Sequence, residues 1–316
     1  MTRIILFLLF VLLTAKAAAA QDRYPSRTIR LLCWSSAGSS LDVTMRQLGK
    51  QLGELLGQTF VVENRAGGEG GIAMAALLNK PADGYTILST TSSMSFAMAT
   101  KTGRFTPDDF IVLPALQAEP SAVAVRSDSA FKSLNDFTVA IRAHPDALSV
   151  GGFSSAGFHQ YTFHRLQQIA DFKSVWVPFK GGQDATVALL GGHIQASIMT
   201  PSTALAQIQS GDIRLIGISS VRRSEYLPDV PTFKEQGYDV IASLWRSVMV
   251  RAGTPKPIVH TLISTLEKIQ QTKQWREFSR LNMQSSVTIS LDGMHQQVRD
   301  EIVAYRAFLE SIGAGR

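Results

Sequence analysis

The chain has 316 residues, of which 45% are hydrophobic and 18% charged, and its formal net charge is +6. This length allows two ordinary domains with a sizeable core, and the composition excludes a disordered or low-complexity protein. Because the positive charge is modest and forms no Lys/Arg block, nucleic acid is not expected as a partner. The single cysteine excludes an internal disulfide, and we interpret Cys33, which lies inside an apolar run, as a small core residue.

The N-terminus has the pattern of a secretory signal peptide. Arg3 supplies a positive charge, IILFLLFVLL is too short to span a bilayer, and AKAAAA provides small residues for cleavage near Ala20. We therefore predict that residues 1–20 are removed on export, which lowers the formal charge from +6 to +4 because Arg3 and Lys16 are lost. Lys16 lies close to the cleavage point, which leaves an uncleaved anchor as the alternative. No later apolar stretch has the length of a membrane span, so the mature protein is predicted to be soluble and exported.

Strand and helix patterns alternate in the first part of the mature chain. Residues 28–34 are predicted as a strand, and an apolar stripe at helical spacing from Leu41 to Leu55 predicts a helix. Ser39, with Asp42 three residues later, is a capping pattern for that helix. TFVVE and GYTILST are predicted as further strands, with the short helix GGIAMAALLNK between them. This β-α-β-α-β order predicts a parallel, doubly wound sheet.

The alternation starts again near Glu119. The predicted strands are AVAVRS, ALSVGG, SVWVPF, ASIM and IRLIGISS, and helical patterns separate them. A stretch with two prolines and a glycine follows, then the strand SLWRSVMV and two helical segments that begin at AGTPKPIV and SLDGMHQQ. The sequence therefore predicts an α/β protein of two lobes. Periodicity alone leaves open which lobe the last strand and helices complete.

A short polar turn occurs twice. WSSAGSSLD follows one apolar run, and SSAG returns at Ser154–Gly157 after another. One interpretation is a serine nucleophile, but the nucleophile elbow G-x-S-x-G lacks its last glycine in the segment Gly152–Ala156. His159 is close in sequence, whereas the base of a catalytic triad usually comes from another segment. A serine-type hydrolase is therefore the alternative and not the preferred interpretation.

Two other kinds of site have weaker signals. The segment Gly68–Ala73 matches G-x-G-x-x-A, but it does not follow its strand directly and no acidic residue comes about 20 positions later. We interpret it as a flexible β-α turn. His159 and His164 are five residues apart and point to different helix faces, and the other histidines are scattered. Neither a metal ion nor a cofactor is predicted.

The preferred interpretation of the repeated turn is an anion cradle. A turn of small residues before a helix leaves backbone N–H groups free at the positive end of the helix dipole, where carboxylates and phosphates bind. A third Ser/Thr turn, STTSS at 89–93, follows another predicted strand. Ligands of open α/β sheets bind beyond the carboxyl ends of the strands. Two lobes with such turns therefore predict a binding protein that closes on an anion.

Several longer motifs resemble a known family. They include YPSRTIRLL, S-A-G-x-x-x-D ending at Asp42, VVENRAGGEGGIA, PADGYTIL, VPFKGGQDATVALLGGHI, SGDIRLIGISS, RRSEYLPDVPTFKEQGY and AGTPKPIV. These motifs cover nearly the whole mature chain. In them the sequence is similar to the Bug-type periplasmic solute-binding proteins, the receptor components of tripartite tricarboxylate transporters.

The resemblance implies a fold, a function and partners. It implies a two-lobed type II periplasmic-binding-protein fold with the ligand cleft between the lobes, with residues 21–120 and 243–316 as lobe 1 and 121–242 as lobe 2. It implies a monomeric, periplasmic, non-catalytic receptor that binds a small carboxylate-containing organic anion and delivers it to membrane permease subunits. A sensor subunit that signals to a membrane kinase would bind a ligand in the same way and stays open as an alternative.

The resemblance also implies which residues bind the ligand. The first loop is expected to contribute Trp34, Ser35, Ser36, Ala37, Gly38, Ser39 and Asp42. The second and third loops are expected to contribute Thr91, Ser92, Ser93, Ser154, Ser155, Ala156, Gly157 and His159. Further contributions are expected from Met199, Thr200 and Arg246. The three loops contain no lysine or arginine, so mainly neutral donors are expected to meet the carboxylate, and Arg246 is either the exception or paired elsewhere.

The sequence differs from the family pattern at three places. Trp34 and Ser35 stand where relatives often have Pro-Phe, and Met199 or Thr200 stands where an acidic residue is common before Pro201. Relatives also often have Asn-Pro near Ala97 and Met98, in a loop that is shorter here. These differences leave open whether the distal ligand group is a second carboxylate. Trp34 and Met199 would suit an aromatic or apolar ligand body.

Overall fold

The structure, a computed structural model, describes residues 24–100, 104–145 and 147–314. The predicted signal peptide, residues 1–20, lies outside these residues. The strands are β1 (Ile29–Cys33), β2 (Phe60–Asn64), β3 (Thr86–Thr91), β4 (Phe110–Val112), β5 (Ala115–Pro120), β6 (Ala122–Arg126), β7 (Ser149–Phe153), β8 (Val175–Phe179), β9 (Ala196–Met199), β10 (Ile213–Ile218), β11 (Ser243–Arg251) and β12 (Ser285–Ile289). The α-helices are α1 (Ser40–Leu56), α2 (Gly71–Leu78), α3 (Met94–Ala99), α4 (Leu134–Ala143), α5 (Phe158–Ala170), α6 (Gly182–Leu190), α7 (Leu205–Ser210), α8 (Lys256–Gln271), α9 (Lys273–Leu281) and α10 (Leu291–Ser311).

The first sheet has the strand order β12-β5-β11-β3-β1-β2, and β4 also pairs with β11. Strand β1 is parallel to β2 and β3, as the β-α-β-α-β order predicts. The prediction of a parallel sheet is wrong for the sheet as a whole, since β11 is antiparallel to β3, β4 and β5. The physical reason is that β11 enters this sheet from the other lobe and not through a helical crossover. Strands β11 and β12 both lie in this first sheet, so the C-terminal strands return to the first lobe.

The second sheet has the order β10-β6-β9-β7-β8. Strand β7 is parallel to β8 and β9, whereas β6 is antiparallel to β9 and β10. All of its strands come from the segment between β5 and β11, and the chain passes between the two sheets twice. Each sheet is covered by helices and has its own apolar core, which gives two α/β lobes.

The two chain crossings are held together by one buried serine. The Ser121 N–H donates to Ser219 Oγ over 2.9 Å, and Ser219 Oγ donates to the carbonyl of Ala242 over 2.6 Å. The backbone of Ser219 also bonds to both partners, because its N–H donates to Ser121 and its carbonyl accepts from Ala242. Ser219 therefore joins the outgoing crossing to the returning one.

Helix α1 shows how the sequence pattern forms the local structure. Leu41 and Leu52 are buried on its inner face, whereas Leu55, in the last turn, is 47% exposed. Ser39 Oγ accepts a hydrogen bond from the Asp42 N–H over 3.3 Å, which is the predicted N-cap. Within the described residues, none of the helices has the length and apolar character needed to cross a bilayer.

Candidate ligand-binding cleft

A cavity of about 550 Å³ lies between the two lobes. Its wall is formed largely by the segments that follow β1, β3, β7, β8 and β9, at the carboxyl ends of these strands. This is the place where open α/β sheets bind their ligands, and the volume is within the range of ordinary small-molecule sites.

The structure brings twelve of the predicted site residues together in this wall. From the first two loops they are Trp34, Ser35, Ser36, Ser39, Thr91 and Ser93. From the second lobe they are Ser154, Ser155, His159, Met199 and Thr200, and β11 adds Arg246. Serines of both SSAG turns therefore face one cavity.

The other six predicted residues do not line the cavity. They are Ala37, Gly38, Asp42, Ser92, Ala156 and Gly157. Ser92 faces β11 instead, because its hydroxyl donates to the carbonyl of Ser243 over 3.1 Å and accepts from the Trp245 N–H over 3.2 Å.

Asp42 organises the first loop from behind. Its Oδ2 accepts from the Gly38 N–H and from Arg46 Nε, each over 2.9 Å, and its Oδ1 accepts from Asn64 over 2.9 Å. Burial raises the pKa of Asp42, but the hydrogen bonds from Arg46, Gly38 and Asn64 outweigh burial and hold that pKa below its ordinary value. The carboxylate of Asp42 therefore accepts the hydrogen bond of the Gly38 N–H. The anion-cradle interpretation expected such N–H groups of the turn to be free for a ligand.

The two SSAG turns have different backbones. Gly38 lies at φ 79°, in the left-handed region, whereas Gly157 has an ordinary φ of −111°. In the second turn the left-handed residues are instead Ser154 at φ 64° and Ala156 at φ 56°. Non-glycine residues in this region carry backbone strain, which proteins tend to keep at functional sites.

The first turn of α1 faces the cavity. Ser40 and Leu41 line the wall, and their N–H groups belong to the first turn, where no intrahelical acceptor exists. The helix dipole adds positive potential at this end. The first loop therefore offers an anion neutral donors, together with the hydroxyls of Ser35 and Ser39, which lie 2.7 Å apart.

Arg246 is part of the cavity wall and is also paired. It forms a buried ion pair with Glu119 at 2.5 Å, and Glu119 also accepts from Gln284 and from the N–H of Ser202. Burial lowers the pKa of Arg246, and the adjacent carboxylate of Glu119 opposes this effect. An arginine stays protonated in proteins, so Arg246 keeps its positive charge. The carboxylate of Glu119 compensates this charge.

In the described residues, side-chain hydrogen bonds cross the cleft at two places beside the cavity. At one, the Ser154 hydroxyl donates to Glu69 Oε1. At the other, the Ser202 hydroxyl lies 2.7 Å from that of Ser40, and the Ser202 N–H donates to Glu119 over 3.1 Å. Burial raises the pKa of Glu69, and the hydrogen bond from Ser154 only partly opposes this. The lobes are therefore in direct contact at two separate places beside the cavity.

His159 reaches the chain crossing. Its Nδ1 lies 3.2 Å from the hydroxyl of Ser121, and burial lowers its pKa to about 4, so the ring is neutral at neutral pH. The Ser154 hydroxyl donates to Glu69 and to the carbonyl of Ser155, and in the described residues it makes no hydrogen bond to this ring. The nucleophile–base hydrogen bond of a catalytic triad is therefore not formed between Ser154 and His159 in this arrangement.

Sequence reasoning missed several wall residues. The main ones are Glu69, Lys180, Gly181, Gly182 and Gln183. The turn Lys180–Gly182 follows β8 and precedes α6, which is the same pattern of small residues between a strand and a helix that identified the SSAG turns. A search for this pattern would therefore have found the turn Lys180–Gly182 as well.

The two lobes, the paired crossings and the cleft at the strand ends define a class of protein, the two-lobed type II periplasmic binding proteins. The chain belongs to one family within it, the tripartite tricarboxylate transporter family receptor, whose family model matches residues 44–314. This confirms the resemblance seen in the sequence.

Known relatives align with nearly the whole chain. Protein BugT of Bordetella pertussis is 30% identical over 322 aligned residues, covering 99% of this chain and 98% of that protein. The solved structure of the periplasmic binding protein BugD has a TM-score of 0.82 at 23% identity and covers 92% of this chain and 99% of its own. That of R. palustris Rpa4515 with adipate has a TM-score of 0.83 at 23% identity, with coverages of 92% and 98%. These similarities confirm the predicted fold.

Proposed function

We propose that this chain is a periplasmic receptor that binds a small organic anion with at least one carboxylate group and delivers it to the membrane permease subunits of a tripartite tricarboxylate transporter. The observation that carries the proposal is that the serine turns of both lobes face one cavity. Membership of the receptor family supports the role. The related Rpa4515 was solved with adipate, a carboxylate, which supports the ligand class.

The chemistry of the wall supports a carboxylate held mainly by neutral donors. Hydroxyls come from both SSAG turns, and free N–H groups come from the first turn of α1. Arg246 is already paired with Glu119, so its contribution to an anion is reduced. Apart from Arg246, the charged donor in the described part of the wall is Lys180.

The receptor is proposed to release its ligand unchanged, as a monomer and without a cofactor. Its family consists of receptors, and the hydrogen-bond partner of His159 is Ser121 at the chain crossing and not a serine of the turns. Residues 1–20 are proposed to direct export and to be removed near Ala20. A sensor role would use the same cleft and would differ only in the membrane partner.

Native mass spectrometry of freshly purified protein tests this proposal. We expect one organic acid per chain, and we expect the same acid to rebind the stripped protein and to be recovered unchanged after prolonged incubation. A protein that retains no acid and binds none of a broad panel of organic acids would contradict the proposal. Chemical conversion of the acid would favour the hydrolase alternative.

A further inference from the structure

We infer that the cleft selects a monocarboxylate with an aromatic body over a dicarboxylate. The inference rests on the proposed function and goes beyond it, because it names the class of organic acid. Two features of the wall carry it, namely an aromatic pair that spans the cleft and the balance of charge around the cavity.

The aromatic pair consists of Trp34 from the first lobe and Phe153 from the second. Their ring centroids are 6.2 Å apart with an interplanar angle of 46°, and both rings line the cavity. Ile198, Met199 and Leu244 extend the apolar part of the wall. A ligand ring placed against the cavity side of this pair would make aromatic contacts that add to the gain from burying apolar area.

The charges around the cavity balance without a ligand. In the described part of the wall the charged side chains are Glu69, Lys180 and Arg246, and Glu119 compensates Arg246. Lys180 is the wall cation that Glu119 does not compensate, so it can meet one ligand carboxylate. Because the four charges already sum to zero with Glu69 ionised, each ligand carboxylate adds one net negative charge. A second carboxylate would lose water without gaining a cation, which is costly in a site of low polarity.

Glu69 adds a repulsive element. Its Oε1 accepts from Ser154, and its Oε2 is buried without a partner in the described residues, within 3.6 Å of the position that a Cβ at Gly157 would take. Burial raises the pKa of Glu69, and the ionised form of this carboxyl would disfavour a dianion near the second SSAG turn. Rejection of the wrong ligand by a like charge is a common source of specificity.

Calorimetric titration of the wild-type protein with three acids tests the inference. The probes are 3-phenylpropanoate, heptanoate and adipate, which are an aromatic monocarboxylate, an aliphatic monocarboxylate and a dicarboxylate. We expect 3-phenylpropanoate to bind about 10-fold more tightly than either of the others, the size of effect that an aromatic contact provides. Adipate that binds as tightly or more tightly would overturn the inference and leave the proposed function intact. Heptanoate that binds equally well would overturn the aromatic part, and no binding by any organic acid would overturn both.

Two variants separate the aromatic pair from the charge. Phe153→Leu should weaken 3-phenylpropanoate by about 10-fold and change heptanoate little. Phe131→Leu, at a partly buried position packed against the core of the second lobe, should leave both affinities unchanged. Glu69→Gln should tighten adipate several-fold, and Glu54→Gln on the exposed face of α1 should not. Circular dichroism confirms that each variant is folded. Equal losses for both monocarboxylates in Phe153→Leu, or no gain for adipate in Glu69→Gln, would contradict the corresponding part of the inference.

Discussion

The glycines of the two SSAG turns have different tasks although their surroundings in the sequence are alike. Gly38 has a left-handed backbone, and a Cβ added there would meet no heavy atom within 4 Å, so its requirement is conformational and not steric. Gly157 has an ordinary backbone, and a Cβ there would make normal contacts at 3.5 Å and 3.6 Å. Neither glycine lines the cavity, so close approach of a ligand does not explain the glycine at either position.

Alanine at these two positions should therefore have unequal effects. Gly38→Ala should lower the free energy of unfolding by about 1 kcal/mol, because a side chain is unfavourable at φ 79°. Gly157→Ala should change it by less than about 0.5 kcal/mol. Urea denaturation of both variants measures this. A larger loss for Gly157→Ala than for Gly38→Ala would show that the backbone assignment of the turns is wrong.

Glu301 is a buried acid beneath the first lobe's side of the cleft. It accepts hydrogen bonds from Ser95 over 2.8 Å, from Trp245 Nε1 over 2.7 Å and from Gln297 over 2.9 Å. Burial raises its pKa from 4.5 to about 7, and these hydrogen bonds only partly oppose the rise. The folded protein therefore holds a proton here at a pH where the unfolded chain has lost it.

A raised pKa predicts stability that is present below pH 4.5 and lost as the pH rises through about 7. Over this range Glu301 should account for a loss of about 3 kcal/mol in the free energy of unfolding. Glu301→Gln should remove this part of the pH dependence, and the exposed Glu54→Gln should not. Urea denaturation at pH 5, 6, 7 and 8 tests the prediction, and parallel pH profiles for wild type and Glu301→Gln would contradict it.

At the scale of elements, the junction of the two chain crossings depends on one hydroxyl. In Ser219→Ala, the buried N–H of Ser121 loses its acceptor and the carbonyl of Ala242 loses a donor. The free energy of unfolding should fall by about 1–3 kcal/mol, the cost of unpaired buried polar groups. Ser220→Ala, in the next residue, should have little effect. Equal stabilities for the two variants would mean that Ser219 does not hold the crossings.

The sequence predicted the elements whose pattern is local. Strands β1, β2 and β3 and the strands of the second lobe follow apolar runs bounded by turn residues, so they were found. Strands β4, β5 and β12 were missed, because FIV is short, ALQAEP has no β-branched or aromatic residue, and SSVTI lies at a sheet edge. They are strands because they pair with β11 or with each other, which is tertiary information that a local pattern does not contain.

The candidate site, like the fold, was predictable where the signal is local in the sequence. Strand-end serines could be named because they share a position in the fold, and Ser36 and Ser155 line the cavity. Glu69 and the pairing of Arg246 with Glu119 could not be predicted, because these contacts join residues that are distant along the chain. Asp42 was placed in the site by its motif, whereas its hydrogen bonds use it as a brace for the loop.

At the scale of the whole molecule, the lobes touch at several places around the cavity. Hydrogen bonds join Glu69 to Ser154 and Ser40 to Ser202, and Tyr161 of α5 packs against Tyr305 of α10 with ring centroids 4.9 Å apart. These contacts describe a closed arrangement of two lobes that are connected by only two chain crossings. Such proteins close around their ligands by hinge motion.

Closure predicts a change in shape on binding. The radius of gyration from X-ray scattering should be smaller with a saturating organic acid than without it. The double variant Ser154→Ala and Ser202→Ala removes both cross-cleft hydroxyl contacts and should reduce the change. A radius that stays constant while the acid binds tightly would contradict hinge closure.

The most direct test of the central claim is an electron-density map of the protein crystallised with the acid identified by native mass spectrometry. The claim is that one organic acid binds between the lobes at the serine turns. We predict density for one acid in the cavity, with carboxylate oxygens within hydrogen-bond distance of the first turn of α1 or of the serine hydroxyls, and with its body against Trp34 and Phe153. Density for the acid outside the cleft, or a cleft occupied only by water at saturating acid, would contradict the account.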